Sequence, residues 1–162
     1  MENVFNIALA SEAFKKPSDP GYIYLLRDRG RYKVGRTKSP EHRLSVAKTW
    51  IPDVEVIGMK PFWFHSELES YMHVGLATFA YKGEWFDFEG DDFEEVFIDE
   101  FRFFTDDNPI RNTRSFVYFV NGTGMSELTL EWSRQGVSKR RFLRETSFSQ
   151  LSRIGRFEPM CM

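Results

Sequence analysis

The chain has 162 residues, room for one ordinary domain and a short appendage. Its 41% hydrophobic content and 17 phenylalanines can fill a core, which excludes wholesale disorder. No run of about 18 apolar residues occurs, so neither a bilayer-spanning helix nor a membrane partner is expected. The first residues lack the basic and apolar stretches of a signal peptide. The single cysteine, Cys161, excludes an internal disulfide and a cysteine-rich zinc site. A cytoplasmic setting is therefore expected. The net charge of −2 conceals a pattern: residues 1–83 carry +3, residues 84–108 carry −10 and residues 109–162 carry +5.

Residues 1–20 form a lead-in that ends in the turn-rich Pro17-Ser18-Asp19-Pro20. Gly21 to Leu26 is predicted as a buried strand, Arg27 to Gly30 as a tight turn and Arg31 to Arg36 as the returning strand of a hairpin. Ser39-Pro40-Glu41 combines a capping residue, a proline suited to a first helical turn and a carboxylate that favours the positive helix end. A helix is expected from there to about Lys48, followed by a third strand over Val54 to Gly58. Leu68, Met72, Leu76 and Phe79 recur at helical spacing, which predicts a helix over Ser66 to Phe79. Gly83 to Phe88 reads as short and extended. The acidic run from Glu89 to Glu100 predicts a helix reaching about Phe104, with a solvated carboxylate face turned away from any polyanionic substrate.

Asp106-Asp107-Asn108-Pro109 marks a second boundary, so the organisation expected is a domain over residues 21–105 and a basic extension over residues 110–162. In the extension Ser115 to Val120 is strand-like, Asn121 to Gly124 is a turn and Ser126 to Gln135 is helical. Gly136-Val137-Ser138 then interrupts the pattern before the basic Lys139-Arg140-Arg141-Phe142-Leu143-Arg144. Two readings stay open for this outline. One is a helix-turn-helix reader of DNA, with Lys139, Arg140, Arg141 and Arg144 on the substrate. The other is a basic helix packed on the main domain.

Several stretches share one order: Gly21-Tyr22-Ile23-Tyr24, Tyr32-Lys33-Val34-Gly35-Arg36-Thr37, His42-Arg43-Leu44, Leu68-Glu69 with His73 four residues on, and Gly83-Glu84-Trp85-Phe86. In this order and spacing the chain resembles the GIY-YIG nuclease superfamily. It is most similar to the phage-associated branch in which lysine replaces the second tyrosine of the name. The resemblance covers roughly residues 20–104, somewhat over half the chain. It implies an α+β (α/β) fold, with a small mixed or antiparallel three-stranded sheet flanked by helices. It also implies a metal-dependent endonuclease that hydrolyses phosphodiester bonds, with duplex DNA as the expected partner.

The resemblance assigns roles that can be weighed chemically. Tyr24 matches a general base or water-positioning group; a free phenol has a pKa of about 10, so help from a neighbouring cation such as Lys33 is expected. Arg43 matches the arginine that braces the scissile phosphate, a task suited to a permanently charged, two-pronged guanidinium. Glu69 matches the single metal-binding carboxylate, and Mg2+ (or Mn2+), which keeps most of its waters, can be held by one such group plus phosphate. Ser66-Glu67-Leu68-Glu69 is also a capping-box spelling, which would tie Glu69 to a helix start instead. His73, one turn after Glu69, is expected to orient a water at the metal or to touch phosphate, and Arg36 to contact phosphate. His65 and His42 have no matched place. Glu84 stands where many superfamily members carry asparagine; a structural pairing with Lys33 or Arg43 is one role for it. Trp85 and Phe86 read as core. Two other functions remain open at this level. One is a catalytically inactive binding module that keeps the fold; the other is an interaction protein whose acidic helix and basic tail dock a partner or a second copy. Cutting both strands would require a homodimer or two successive nicks.

Overall fold

A computed structural model describes residues 20–146. The expected lead-in as far as residue 19, the last part of the basic extension and Cys161 lie outside the described residues. Strand β1 (Gly21–Asp28) folds back onto β2 (Arg31–Thr37), antiparallel. Arg29 and Gly30 make the turn, both in the left-handed region with φ of 53° and 76°, as a two-residue hairpin with the twist of its strands requires. Helix α1 (Pro40–Trp50) follows with proline in its first turn. Ser39 makes no side-chain cap; its own N–H donates to Thr37 Oγ1 at 2.9 Å. Strand β3 (Glu55–Phe62) then pairs antiparallel with the other edge of β1, with an irregularity between Leu25 and Leu26.

Helix α2 (His65–Gly75) crosses the sheet and ends in a 3-10 turn at Ala77–Phe79. Two short strands follow, β4 (Ala80–Lys82) and β5 (Trp85–Phe86), and β5 pairs antiparallel with β2. The sheet order is β3-β1-β2-β5-β4, antiparallel throughout. The expected three-stranded sheet is thus a five-stranded one. Strands of three and two residues are too short to show alternation, so the sequence pattern could not assign them to the sheet.

Four more helices complete the described chain: α3 (Phe93–Phe103), α4 (Pro109–Asn121), α5 (Met125–Gln135) and α6 (Lys139–Thr146). Helix α3 is the acidic helix. It buries Phe93, Phe97, Ile98 and Phe101 and leaves Glu95 and Asp99 exposed. Glu94 departs from the solvated face, because its carboxylate accepts a hydrogen bond from the Tyr32 hydroxyl. Helix α4 replaces the strand expected over Ser115 to Val120. The β-branched and aromatic residues there suggested a strand, but Asn108 caps the helix by accepting from the Arg111 N–H at 3.1 Å, and Pro109 stands in its first turn. Thr113, Phe116, Val117 and Val120 are buried while Arg114 and Tyr118 are exposed, a period of three to four rather than two.

Phe116, Val117, Val120, Met125, Leu128 and Phe142 belong to the same buried cluster as Ile23, Leu25, Val34 and Leu68. The described part of the extension therefore shares the core of the preceding residues. Asn112 fastens α4 to the sheet. It is 1% exposed; its amide donates to the carbonyls of Pro61 at 2.9 Å and Thr105 at 2.8 Å, and its oxygen accepts from the Thr105 N–H at 2.8 Å. Removing a partner and leaving buried backbone groups unpaired costs more than a hydrogen bond contributes. Asn112→Ala is expected to lower unfolding free energy by about 3 kcal/mol, measured by urea denaturation. An exposed substitution such as Tyr118→Ser on the same helix should change it by less than about 0.5 kcal/mol.

Candidate active site

The hairpin register brings Tyr24 of β1 opposite Gly35 of β2. Any Cβ at Gly35 would sit inside the Tyr24 ring, so the absent side chain is what lets the phenol lie flat across the strand. Tyr24 is 3% exposed, yet it borders an open cleft of about 560 Å3. Lys33 and Arg36 reach this cleft from β2, Thr37 and Lys38 from the end of that strand, and Arg43 from α1. Glu69 and His65 enter from α2, Glu84 from the β4–β5 turn and Lys139 from the start of α6. Five cationic side chains face two carboxylates here. The excess positive charge suits a polyanion.

Glu69 is the cleft's deep anionic group, 4% exposed as a residue. Its Oε1 accepts from Lys139 Nζ at 3.1 Å, and its Oε2 lies 3.9 Å from Arg36 Nε. The capping-box reading of this glutamate is overturned. Helix α2 starts two residues earlier than that spelling requires, after Phe64 in the left-handed region, and no side chain caps it. Ser66 lies inside the helix, and its hydroxyl accepts from the Arg36 guanidinium instead.

Lys33 was expected to lower the pKa of Tyr24. Its ammonium is instead 3.8 Å from Glu84 Oε2, which gives Glu84 the pairing role that its sequence position left open. The Tyr24 pKa is raised, chiefly by burial, with Glu84 and Glu69 adding to the effect and Arg43 opposing it. Near neutrality the phenol is a neutral hydrogen-bonding group. Arg43 is exposed on a helix with no buried residue.

His73 does not line the cleft. It is 2% exposed, and its Nε2 must donate to the Val34 carbonyl at 2.8 Å, because a carbonyl can only accept. Burial lowers its pKa, so the ring is neutral, and the 3.8 Å approach of Glu69 is not an ion pair at neutral pH. The expected contact of His73 with water or phosphate is replaced by support from behind: the ring fixes α2 to β2 beneath Glu69. His65, by contrast, reaches the cleft. The spacing of His65, Glu69 and His73, four residues apart each time, was the available signal that all three share a face.

The basic residues of α6 separate. Lys139 points into the cleft, whereas Arg140, Arg141 and Arg144 are exposed and do not line it. Arg141 Nε donates to Glu145 Oε1 at 2.9 Å. Helices α5 and α6 follow the order helix, turn, helix, with the Trp132 indole donating to the Val137 carbonyl at 2.8 Å across the turn. Phe142 and Thr146 are buried against the main body, the packed-helix arrangement. The acidic residues of α3 lie by a second depression with Arg27 and Arg102, which shares no residue with this cleft.

Among the described residues no three His, Cys, Asp or Glu side chains converge on one point. A single inner carboxylate facing a cleft is nonetheless a donor set that fits Mg2+ or Mn2+, since such an ion keeps most of its waters and takes its remaining ligands from phosphate. No protein-family model matches the chain, and neither the curated proteins nor the solved structures contain a match.

The depressed pKa of His73 predicts a pH dependence. In the unfolded chain histidine binds a proton near its ordinary value of 6.5, while the buried ring resists it. Its contribution to stability is therefore full above about pH 6.5 and is lost as pH falls toward the folded pKa. Urea unfolding at about pH 7.5 and 5.5 should show wild type losing up to about 1.4 kcal/mol per pH unit from this group, with a shallower loss in His73→Gln.

Proposed function

We propose that this chain is a metal-dependent endonuclease of the GIY-YIG type that hydrolyses phosphodiester bonds, with DNA as its substrate. The observation that supports this reading best is the meeting of Tyr24, Lys33, Arg36, Arg43 and Glu69, drawn from four elements, in one cation-rich cleft. Side chains with no chemical task in common have little reason to gather around a nearly buried carboxylate. The sequence resemblance supplies the reaction, and the cleft's charge supports a phosphate diester as the ligand.

In this scheme Arg43 holds two oxygens of the scissile phosphate and offsets the charge that builds as the new bond forms. Tyr24, a neutral phenol seated on Gly35, accepts a hydrogen bond from the attacking water and aligns it with phosphorus. Attack forms one P–O bond and breaks the ester bond opposite; the attacking water releases one proton to solvent, and the leaving oxygen takes one up from solvent. Arg36 and Lys33 bind the flanking negative charge, Lys33 being positioned by Glu84. A divalent ion held by Glu69 would supply further charge neutralisation at the phosphate and the leaving oxygen. His73 keeps Glu69 in place through its bond to the Val34 carbonyl. A homodimer that nicks both strands is compatible with this scheme but is not required by it.

Supercoiled plasmid and single-stranded DNA incubated with magnesium, manganese or chelator provide the test. Metal-dependent nicking is expected from wild type and should be lost in Glu69→Ala. Arg43→Ala should slow it by about 10²–10³-fold; an unchanged rate would remove the central electrostatic claim. DNA binding without cleavage, indifferent to metal and to Glu69→Ala, would replace the nuclease reading with a binding module.

A further inference from the structure

Helix α6 carries an electrostatic anomaly. Its first turn holds Lys139, Arg140 and Arg141 and no acidic residue, although the start of a helix already bears partial positive charge and favours anions. This arrangement is unfavourable unless an anion lies close by. One does: Lys139 Nζ donates to Glu69 Oε1 at 3.1 Å. The side chain of Glu69 is only 5% exposed, while that of Lys139 is 35% exposed, so the carboxylate is fixed and the ammonium can withdraw toward solvent.

We infer that Lys139 is a tethered active-site cation that occupies Glu69 until a divalent ion displaces it. The inference rests on the reading of Glu69 as the metal-binding carboxylate. An ammonium and a hydrated dication on the same carboxylate oxygen would be like charges a few ångströms apart, and at such separations they repel strongly in a partly desolvated site. The other oxygen has Arg36 Nε 3.9 Å away, so a dication approaching from that side also meets a resident positive charge. A nearly buried carboxylate left without any cation would be costly, which is why a resident one is built into the metal-free protein. Once displaced, the Lys139 ammonium remains beside the cleft with a phosphate as its nearest replacement anion. The helix anchoring it need not move, because Phe142 and Thr146 hold α6 in the core.

The test is Mn2+ binding to the full chain without DNA, followed by the electron paramagnetic resonance signal of free Mn2+. Lys139→Gln should bind Mn2+ about tenfold more tightly than wild type, in keeping with loss of a charge-assisted hydrogen bond that the metal must otherwise break. Lys139→Arg, which keeps the charge, should bind as weakly as wild type, and Glu69→Gln should not bind at this site. If Lys139→Gln is less stable without metal, its thermal unfolding should still rise more with added Mn2+ than that of wild type. Equal Mn2+ affinity in wild type and Lys139→Gln, with binding lost in Glu69→Gln, would overturn the inference and leave the metal reading standing. Absence of Mn2+ binding in wild type and Lys139→Gln alike would overturn both.

Discussion

The register of β1 against β2 is the constraint on which the site depends. Tyr24 can lie where it does only because the residue across from it is glycine. A slip of one residue would bring Ile23 or Leu25 opposite Gly35 and put a side chain beneath Tyr24. Two independent features hold the register. The hairpin turn fixes it from one end through the left-handed pair Arg29 and Gly30. The complete burial of Ile23, Leu25, Tyr32 and Val34 fixes it along its length, since a slip would carry that apolar surface out of the core. The same register sets Lys33 beside Trp85 of β5, next to Glu84, and leaves Arg36 near the end of β2 within reach of Glu69.

Around this frame the charges are arranged in depth. Glu69 is buried and receives Lys139 and Arg36; Glu84 is at the rim and receives Lys33. Arg43 stands on a helix that contributes nothing to the core. The deep carboxylate is therefore rigid, while the cations that approach it are on side chains more open to solvent. A polyanion or a metal ion entering such a site exchanges partners among existing groups and needs no rearrangement of the sheet. Acidic residues that would repel a polyanion are collected on α3 beside a different depression, so the near-neutral total charge does not describe the field at the cleft.

Much of this was legible in the residues, and the reasons for the exceptions are physical. The β1–β2 hairpin and the helices bearing Arg43 and Glu69 follow from apolar spacing, turn residues and proline placement. Strand β5 falls within the stretch Gly83 to Phe88 that reads as extended, but its place in the sheet, and β4 altogether, leave no signal because two or three residues carry no periodicity; α4 reads as a strand because Phe116, Val117, Phe119 and Val120 favour extended structure locally. Tertiary packing of one helical face, and the Asn108 cap, decided otherwise. For the site, residue type and order located the cleft's main side chains, but burial is a property of the fold. Burial makes Tyr24 a weaker acid than a free phenol and withdraws His73 from the cleft. Lys139 could not be placed there at all, since nothing local links residue 139 to residue 69.

That long-range contact also fixes the size of the module. A boundary drawn at residues 105–110 follows the change in composition, yet it cuts through one core: Gly75 of α2 packs against Met125 of α5, and Phe142 of α6 is fully buried. A fragment ending near residue 105 would expose the apolar side of α2, the helix that carries Glu69, and would lose its lysine partner. Any portable unit built on this cleft therefore extends at least to Thr146, and an exchange made at the compositional boundary would dismantle the cleft itself.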